Sequence, residues 1–317
     1  MMKLLPLRVM LGLFVAVVYG LAIYMLVWLP PDGAIKLISG VLLLAMGIGS
    51  ITGVVADPLG QRDLGQYINM GLAALAVTSL LTVVLFAEGV ICLIMAAPIM
   101  VPGAIFGAWI ARATIRWWRS RRGAMMVIAL PLLVLPIETR MDWPEYQGQV
   151  TTAIIINAPP ETVWAETVEI RDIDPDRLRF TPSHNLMFFP RPLDARLDRQ
   201  GVGATRYLTW TSGVSFREYI TEWDQPRRLG WTFGFDPDSI PPELDAHLRP
   251  DGEASKLLRG EYVLEDLGDG RTRLILTTHY GIALPVNAYG RWWADRLLGD
   301  FHTVVLDVVK ARAEQHG

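Results

Sequence analysis

Val150-Thr151-Thr152-Ala153-Ile154-Ile155-Ile156-Asn157-Ala158-Pro159-Pro160-Glu161-Thr162-Val163-Trp164 decides how the second half of this chain folds. Val, Thr and Ile crowd the first eight positions, and β-branched side chains suit a pleated, half-buried surface. Ala158-Pro159-Pro160 stops that strand, because proline has no N–H to give to a ladder. A short helix is then expected from Glu161 to Glu169, since proline is tolerated in a first turn whose N–H groups lack intrahelical partners anyway.

Toward the C-terminus, further strands are expected at Ala204 to Trp210, Val214 to Trp223, Arg228 to Phe235, Lys256 to Leu267 and Thr272 to Tyr280. Ser212-Gly213 and Asp269-Gly270 read as hairpin turns, where glycine supplies positive φ without a Cβ clash, and Gln225-Pro226 marks another turn. Strands this close together, with no helix between them, form an antiparallel sheet. One long helix, Val286 to Gln315, follows, with Ala294, Leu298, Phe301, Val305 and Val308 on one face. A curved sheet wrapped around a single long helix leaves a cavity between them. Asp236 to Ser255, rich in Pro, Asp and Glu, reads as a long loop, either a lid over that cavity or solvated decoration.

Toward the N-terminus the composition changes near residues 137 to 148. Before Glu138 there are nine Lys/Arg and four Asp/Glu, a balance of +5; after that point there are twenty and twenty-eight, a balance of −8. A spanning helix needs roughly 20 apolar residues to cross about 30 Å of hydrocarbon. Val9 to Leu29, Leu37 to Ala56, Leu64 to Ala87 and Gly89 to Ala111 meet that length without a single Asp, Glu, Lys or Arg. Gly123 to Ile137 is shorter and holds Pro131 and Pro136, but it lies between Arg121-Arg122 and the acidic stretch from Glu138 to Asp142, so it is read as a fifth span. The first segment is not a signal peptide on this reading, being about twice a normal h-region and lacking a small-x-small cleavage site.

If the spans alternate, Lys3, Arg8, Arg62, Arg112, Arg116, Arg119, Arg121 and Arg122 share one side, and Lys36 alone takes the other. Positive residues mark the cytoplasmic side, so the N-terminus is expected in the cytoplasm and the second half outside it. Trp117 and Trp118 beside those arginines suit an interfacial anchor or a lipid-binding loop. The domains expected are a transmembrane helical bundle at 1–140 and a soluble α+β domain at 147–317, with membrane lipids as partners of the first.

The opening motif Ile154 to Trp164, the antiparallel meander and the final helix resemble the SRPBCC superfamily, also called helix-grip or START-like proteins, over about residues 147 to 315. Gly201-Val202-Gly203-Ala204-Thr205-Arg206-Tyr207, Glu218 with Trp223 and Pro226, Asp269-Gly270-Arg271-Thr272-Arg273-Leu274, and Phe301-His302 before Val305-Leu306 look like a bacterial, inner-membrane-anchored subgroup. The resemblance implies a polyketide cyclase-like cavity, of the kind that takes sterols, lipids and polyketides; some members are cyclases or hydrolases.

The residues themselves offer little chemistry. His184, His247, His279, His302 and His316 show no metal-ligand spacing, Cys92 stands alone in an apolar segment, and no Gly-x-Ser-x-Gly elbow is present. No catalytic residue, metal or cofactor is therefore assigned, and the acidic second half, without a basic stripe, argues against nucleic acid. Protein partners stay unassigned. Candidate cavity residues are Arg206 and Glu218, on strands joined by the Ser212-Gly213 turn and a few residues apart in register, either an ion pair across the sheet or contacts to a polar ligand group; Trp210, Trp231, Phe233, Tyr289 and Trp293 as aromatic lining; and His279, Tyr280 and His302 as polar contacts. The leading expectation is a non-catalytic, membrane-tethered module binding an apolar or amphipathic, lipid-like small molecule. Two alternatives stand beside it: a cyclase- or hydrolase-like enzyme using His302 or Glu218 as acid or base, and a structural or partner-binding protein whose pocket is filled by its own aromatics.

Overall fold

The computed structural model describes residues 4–28, 39–117, 122–138, 140–242, 244 and 250–316. Lys3, Lys36, Trp118, Arg119, Arg121 and His247, all used in the readings above, lie outside the described residues, as does part of the expected lid. The chain divides into two units, Met1–Trp143 and Pro144–Gly317.

The first unit contains α1 (Leu4–Trp28), a π turn at Ser39–Leu43 that leads into α2 (Leu44–Ala56), α3 (Leu64–Phe86), α4 (Val90–Arg116) and α5 (Arg122–Glu138). Asp63 caps α3 by accepting a hydrogen bond from the Gln66 N–H at 2.9 Å, which satisfies one of the first-turn donors. Glycine contacts fix the helix directions. Gly12 abuts Ala56 and Gly20 abuts Ile48, so α1 and α2 are antiparallel; Gly53 meets Tyr67 and Gly49 meets Gly71, so α3 also opposes α2. Gly49 packs on Ala104 and Ala108 and Gly53 on Ala111, so α4 runs with α2. Ala124 clusters with Val54 and Ile115, while Leu135 packs near Leu44 and Ala45, so α5 opposes α2 again. Directions therefore alternate along the chain, and Arg8, Arg62, Arg112, Arg116 and Arg122 gather at one end. There the Arg112 Nε donates to the Arg62 carbonyl at 3.3 Å and the Arg62 N–H to the Asp57 carboxylate at 2.7 Å.

Small residues bring α2 and α4 into backbone contact. A Cβ on Gly107 would lie 1.9 Å from the Met46 carbonyl oxygen, and one on Gly49 2.1 Å from that of Ala104; the Ser50 hydroxyl donates to the Gly107 carbonyl at 2.9 Å. Glycines four apart on each helix, 49 and 53 against 103 and 107, let the two backbones meet. Large apolar side chains such as Phe14, Leu80, Val84, Phe106 and Leu133 point outward. Three helical stretches, Leu7–Leu26, Leu64–Phe86 and Val90–Arg116, are long and apolar enough to cross a membrane. This corrects the expectation of about five spans: among the described residues the second apolar stretch is Gly40–Ala56 and α5 has 17 residues, or about 26 Å at 1.5 Å per residue, short of the roughly 30 Å of hydrocarbon.

The second unit begins with β1 (Tyr146–Ile156) and α6 (Pro160–Val168), continues through a 3₁₀ turn at Pro175–Arg177 and α7 (Pro182–Asn185), and then runs β2 (Pro192–Leu197), β3 (Thr205–Trp210), β4 (Ser215–Asp224), β5 (Arg228–Gly234), β6 (Ser255–Gly268), β7 (Arg271–Ile282) and α8 (Asn287–His316). All seven strands form one antiparallel sheet in the order β1-β7-β6-β5-β4-β3-β2. Ser212 and Gly213 adopt φ of 59° and 77°, and Asp269 and Gly270 54° and 70°, the left-handed values that let these short connections reverse. Register shifts in β2, β4 and β6 bend the sheet, because each extra residue kinks its strand and adds twist. The curled sheet grips α8, about 45 Å long at 1.5 Å per residue, and Ile156, Leu274 and Leu276 share one core with Leu306, Val309 and Ala313. This is a helix-grip arrangement. β2 escapes the sequence reading because Pro-Leu-Asp-Ala-Arg-Leu contains no β-branched or aromatic residue.

Candidate functional site

Alternate residues of a strand share a face, and the concave faces of β2 to β7 converge with α8 on a cavity of about 40 Å³. Arg206, Leu208 and Trp210 reach it from β3, Glu218 from β4, Trp231 and Phe233 from β5, Tyr262 from β6, Leu276 and Thr278 from β7, and Phe301 and Val305 from α8. Pro192, Asp194 and Ala195 of β2, with Ile170 and Ile173 of the preceding segment, close the remaining side. Five of the sixteen lining residues are aromatic: Trp210 stacks on Phe301 with ring centroids 4.7 Å apart, and Trp231 lies 5.1 Å from Tyr262.

One ion pair sits in this shell. Arg206 and Glu218 are direct partners in the β3–β4 register, which corrects the expectation that they stand a few residues apart; the hairpin is centred on Ser212, not between Ser212 and Gly213, so six residues separate each from the turn. Both are buried. The Arg206 Nε and Nη2 donate to Glu218 Oε2 at 2.6 and 2.5 Å, and Nη1 donates to the Thr167 carbonyl at 2.6 Å. Its guanidinium also lies 4.7 Å from the Trp231 ring centroid, a distance at which the ring's negative face attracts the cation. Burial pushes the Glu218 carboxyl above the usual carboxylate range, and Arg206 pulls against that shift.

Three polar atoms of the lining residues have no partner: Trp210 Nε1, Trp231 Nε1 and Asp194 Oδ1. The other Asp194 oxygen accepts from Arg196, with Nε at 2.9 Å and Nη2 at 2.7 Å.

Of the ten residues singled out from the sequence, Arg206, Trp210, Glu218, Trp231 and Phe233 border the cavity, and His279, Tyr280, Tyr289, Trp293 and His302 do not. His279 alternates with Thr278 and so occupies the opposite face of β7, where Glu261 lies 3.9 Å from its ring nitrogen. Tyr280 donates its hydroxyl to Asp295 at 2.5 Å, tying β7 to α8. Tyr289 and Trp293 pack edge to face near the start of α8, away from the cavity. His302 is fully buried between the hydroxyls of Thr278, at 2.8 Å, and Thr152, at 3.2 Å, and burial lowers its pKa to about 4. The neutral ring joins α8 to β1 and β7.

Sequence reasoning missed Asp194, Tyr262 and Thr278. Asp194 was hidden with its strand. Thr278 was legible: with Leu274 and Leu276 facing inward, period-two alternation puts 278 on the same side and 279 on the other. Among the described residues, no three His, Cys, Asp or Glu side chains group as a metal ion requires.

No protein-family model matches the chain, and no curated protein does. Solved structures similar to it include an aromatase/cyclase from Streptomyces sp. R1128, at 16% identity over 54% of this chain and 96% of that one with a TM-score of 0.34. Norcoclaurine synthase from Thalictrum flavum, in complex with dopamine and hydroxybenzaldehyde, is similar at 9% identity over 55% and 90%, TM-score 0.35. A protein from Thermus thermophilus gives 18% identity over 54% and 99%, TM-score 0.34. The helix-grip assignment itself rests on the strand order and on α8.

Proposed function

We propose that this chain is a membrane-held binding module whose gripped cavity takes up a compact, largely apolar molecule without transforming it. The observation that carries this reading is the cavity's construction, aromatic and aliphatic walls around one buried ion pair, since small-molecule sites are mostly apolar with a few placed polar groups. Volume sets the size class. A space of about 40 Å³ has room for about three waters, whereas drug-sized ligands occupy about 300 to 1,000 Å³. A whole sterol or phospholipid is larger than this space.

A non-catalytic role is supported by the surroundings of the two acid–base candidates. His302 is enclosed by threonine hydroxyls away from the cavity, and Glu218 is held by Arg206.

The membrane part of the proposal is supported by three helices of spanning length with apolar exteriors. The arginines gather at one end of the bundle and α5 finishes at the other, its 17 residues crossing where the bilayer thins to meet a short helix; with positive residues on the cytoplasmic side, this puts the second unit outside the cytoplasm of a bacterial inner membrane. Membership of the membrane-anchored SRPBCC subgroup is part of this proposal and draws on the sequence motifs alone.

A second reading has a specific observation behind it. The aromatic packing and small volume also fit a pocket filled by its own side chains, on a domain that works by contacting another protein. Thermal unfolding of the full chain in detergent, with and without a panel of compact apolar molecules, separates the two. A ligand at ten times its Kd stabilises by about 1.4 kcal/mol, and Ala195→Phe, which fills the cavity, should abolish the effect. If no molecule raises the midpoint, the filled-pocket reading replaces ours.

A further inference from the structure

The two edge strands of the sheet, β2 and β1, are built differently. An edge offers a row of unpaired N–H and C=O groups to any other strand, and proteins blunt it with short strands, charges, prolines or bulges. β2 uses all four: it has six residues, contains Pro192, carries the Asp194–Arg196 ion pair and shifts register against β3. Ile170 also bridges to Ala195 on its free side. β1 uses none of them. Its eleven residues include no charge and no proline, and its register with β7 runs unbroken from Tyr146 to Ile156.

The ladders show which backbone groups of β1 face outward. The Leu264 N–H donates to the Arg227 carbonyl at 2.8 Å, toward β5. Successive residues of a strand turn to opposite neighbours, so odd residues of β6 bond odd residues of β7, and even residues of β7 bond even residues of β1. Odd residues of β1 therefore point away from the sheet, as Ile155 shows by accepting at its carbonyl from the Lys310 ammonium at 2.6 Å. Gln147, Gln149, Thr151 and Ala153 are exposed, and among the described residues no hydrogen bond reaches their outward N–H and C=O groups.

We propose that β1 pairs antiparallel with β1 of a second copy of this chain about a two-fold axis at Val150, joining two seven-stranded sheets into one. The open window is self-complementary, as an isologous interface requires. In this register Gln147 meets the partner's Ala153 and Gln149 meets the partner's Thr151. Each such pair exchanges two backbone hydrogen bonds, about eight in all, and no like charges stand opposite one another along the window. Past its end, Ile155 comes opposite the partner's Glu145. That carboxylate, which Lys256 balances within its own chain, arrives beside the Lys310 ammonium already seated on the Ile155 carbonyl, so opposite charges close both ends of the paired strands.

The test places single cysteines in the full chain, in its membrane, with Cys92→Ala as background. Gln149→Cys and Thr151→Cys chains are co-expressed with different tags. In the proposed register these positions are directly opposed, with Cα atoms about 5.5 Å apart, inside the roughly 4.4–6.8 Å that a disulfide spans. Oxidation should link the two kinds of chain several times more than it links either variant expressed alone, where like positions lie on a diagonal. Light scattering of the purified natural chain should give two copies per particle. Ala153→Pro removes an outward donor that β7 does not use, so it should keep the circular dichroism of the natural chain and weaken the dimer about tenfold or more, the two-fold axis repeating the loss. Equal linking in every combination, or none, overturns the pairing, and so does a folded Ala153→Pro that dimerises as before. A particle holding one copy overturns it too, and would leave the β1 edge to a strand of another protein.

Discussion

That Arg206 and Glu218 could pair across the hairpin was legible from the sequence, but their direct register was not, because a half-residue change in the turn's centre shifts every cross-strand pair by one. Their burial makes a sharp prediction. Removing one partner of a buried pair strands the other charge and costs about 3–5 kcal/mol, whereas replacing both with apolar groups is often close to neutral. Arg206→Met should therefore lower the protection of β3 and β4 amides against hydrogen exchange by that amount, and adding Glu218→Leu should restore most of it. An equal loss in single and double variants would mean that packing, not charge, explains the effect. His302 gives a pH signature. Its folded pKa of about 4 lies below the ordinary 6.5, so the folded state excludes a proton that the unfolded state accepts. This stability is fully present above pH 6.5 and is lost as pH falls toward 4, up to about 3 kcal/mol. His184, also held near 4 by burial, acts in the same direction. The unfolding midpoint should fall across that window, and His302→Gln should flatten part of the slope; an unchanged slope would contradict a neutral, walled-in imidazole.

Helices and strands were legible wherever their period was strong. The long terminal helix, the two hairpin turns and six strands follow from β-branched runs, Gly at positive φ and an apolar helical stripe. β2 was not legible because tertiary pairing with β3 overrides its weak propensity, and Asp194 went with it. In the first unit the apolar runs marked the helices, but the α2–α4 contact depends on which glycines face each other, and an all-apolar helix has no polar stripe to reveal its faces. Gly107→Leu tests that contact. Any Cβ there meets the Met46 backbone, and backbone cannot move aside as a flexible side chain can, so the purified protein should lose its folded helical unit, seen as aggregation on size-exclusion chromatography. Leu80→Ile, on the outward face, should leave the elution profile unchanged. A normal profile for Gly107→Leu would show that the close approach is not needed.

For the molecule as a whole, the change in composition near residue 140 revealed two units, one apolar and one charged. It did not reveal how full the second unit's interior is, because packing density depends on which aromatics face inward together, and no periodic pattern carries that. The proposed side of the membrane rests on the arginines gathered at one end of the bundle. An enzyme reporter that works only outside the cytoplasm, fused after the last residue, should be active; activity from a cytoplasm-only reporter in its place would reverse the orientation.

Whether the gripped cavity holds a molecule is tested most directly by extracting the full-length protein gently from its native membrane and analysing by mass spectrometry what is released on denaturation. A compact, largely apolar compound retained by the natural chain and missing from Ala195→Phe is the result expected. Identical extracts from the two proteins would mean that the space among Trp210, Trp231 and Phe301 is only a packing gap.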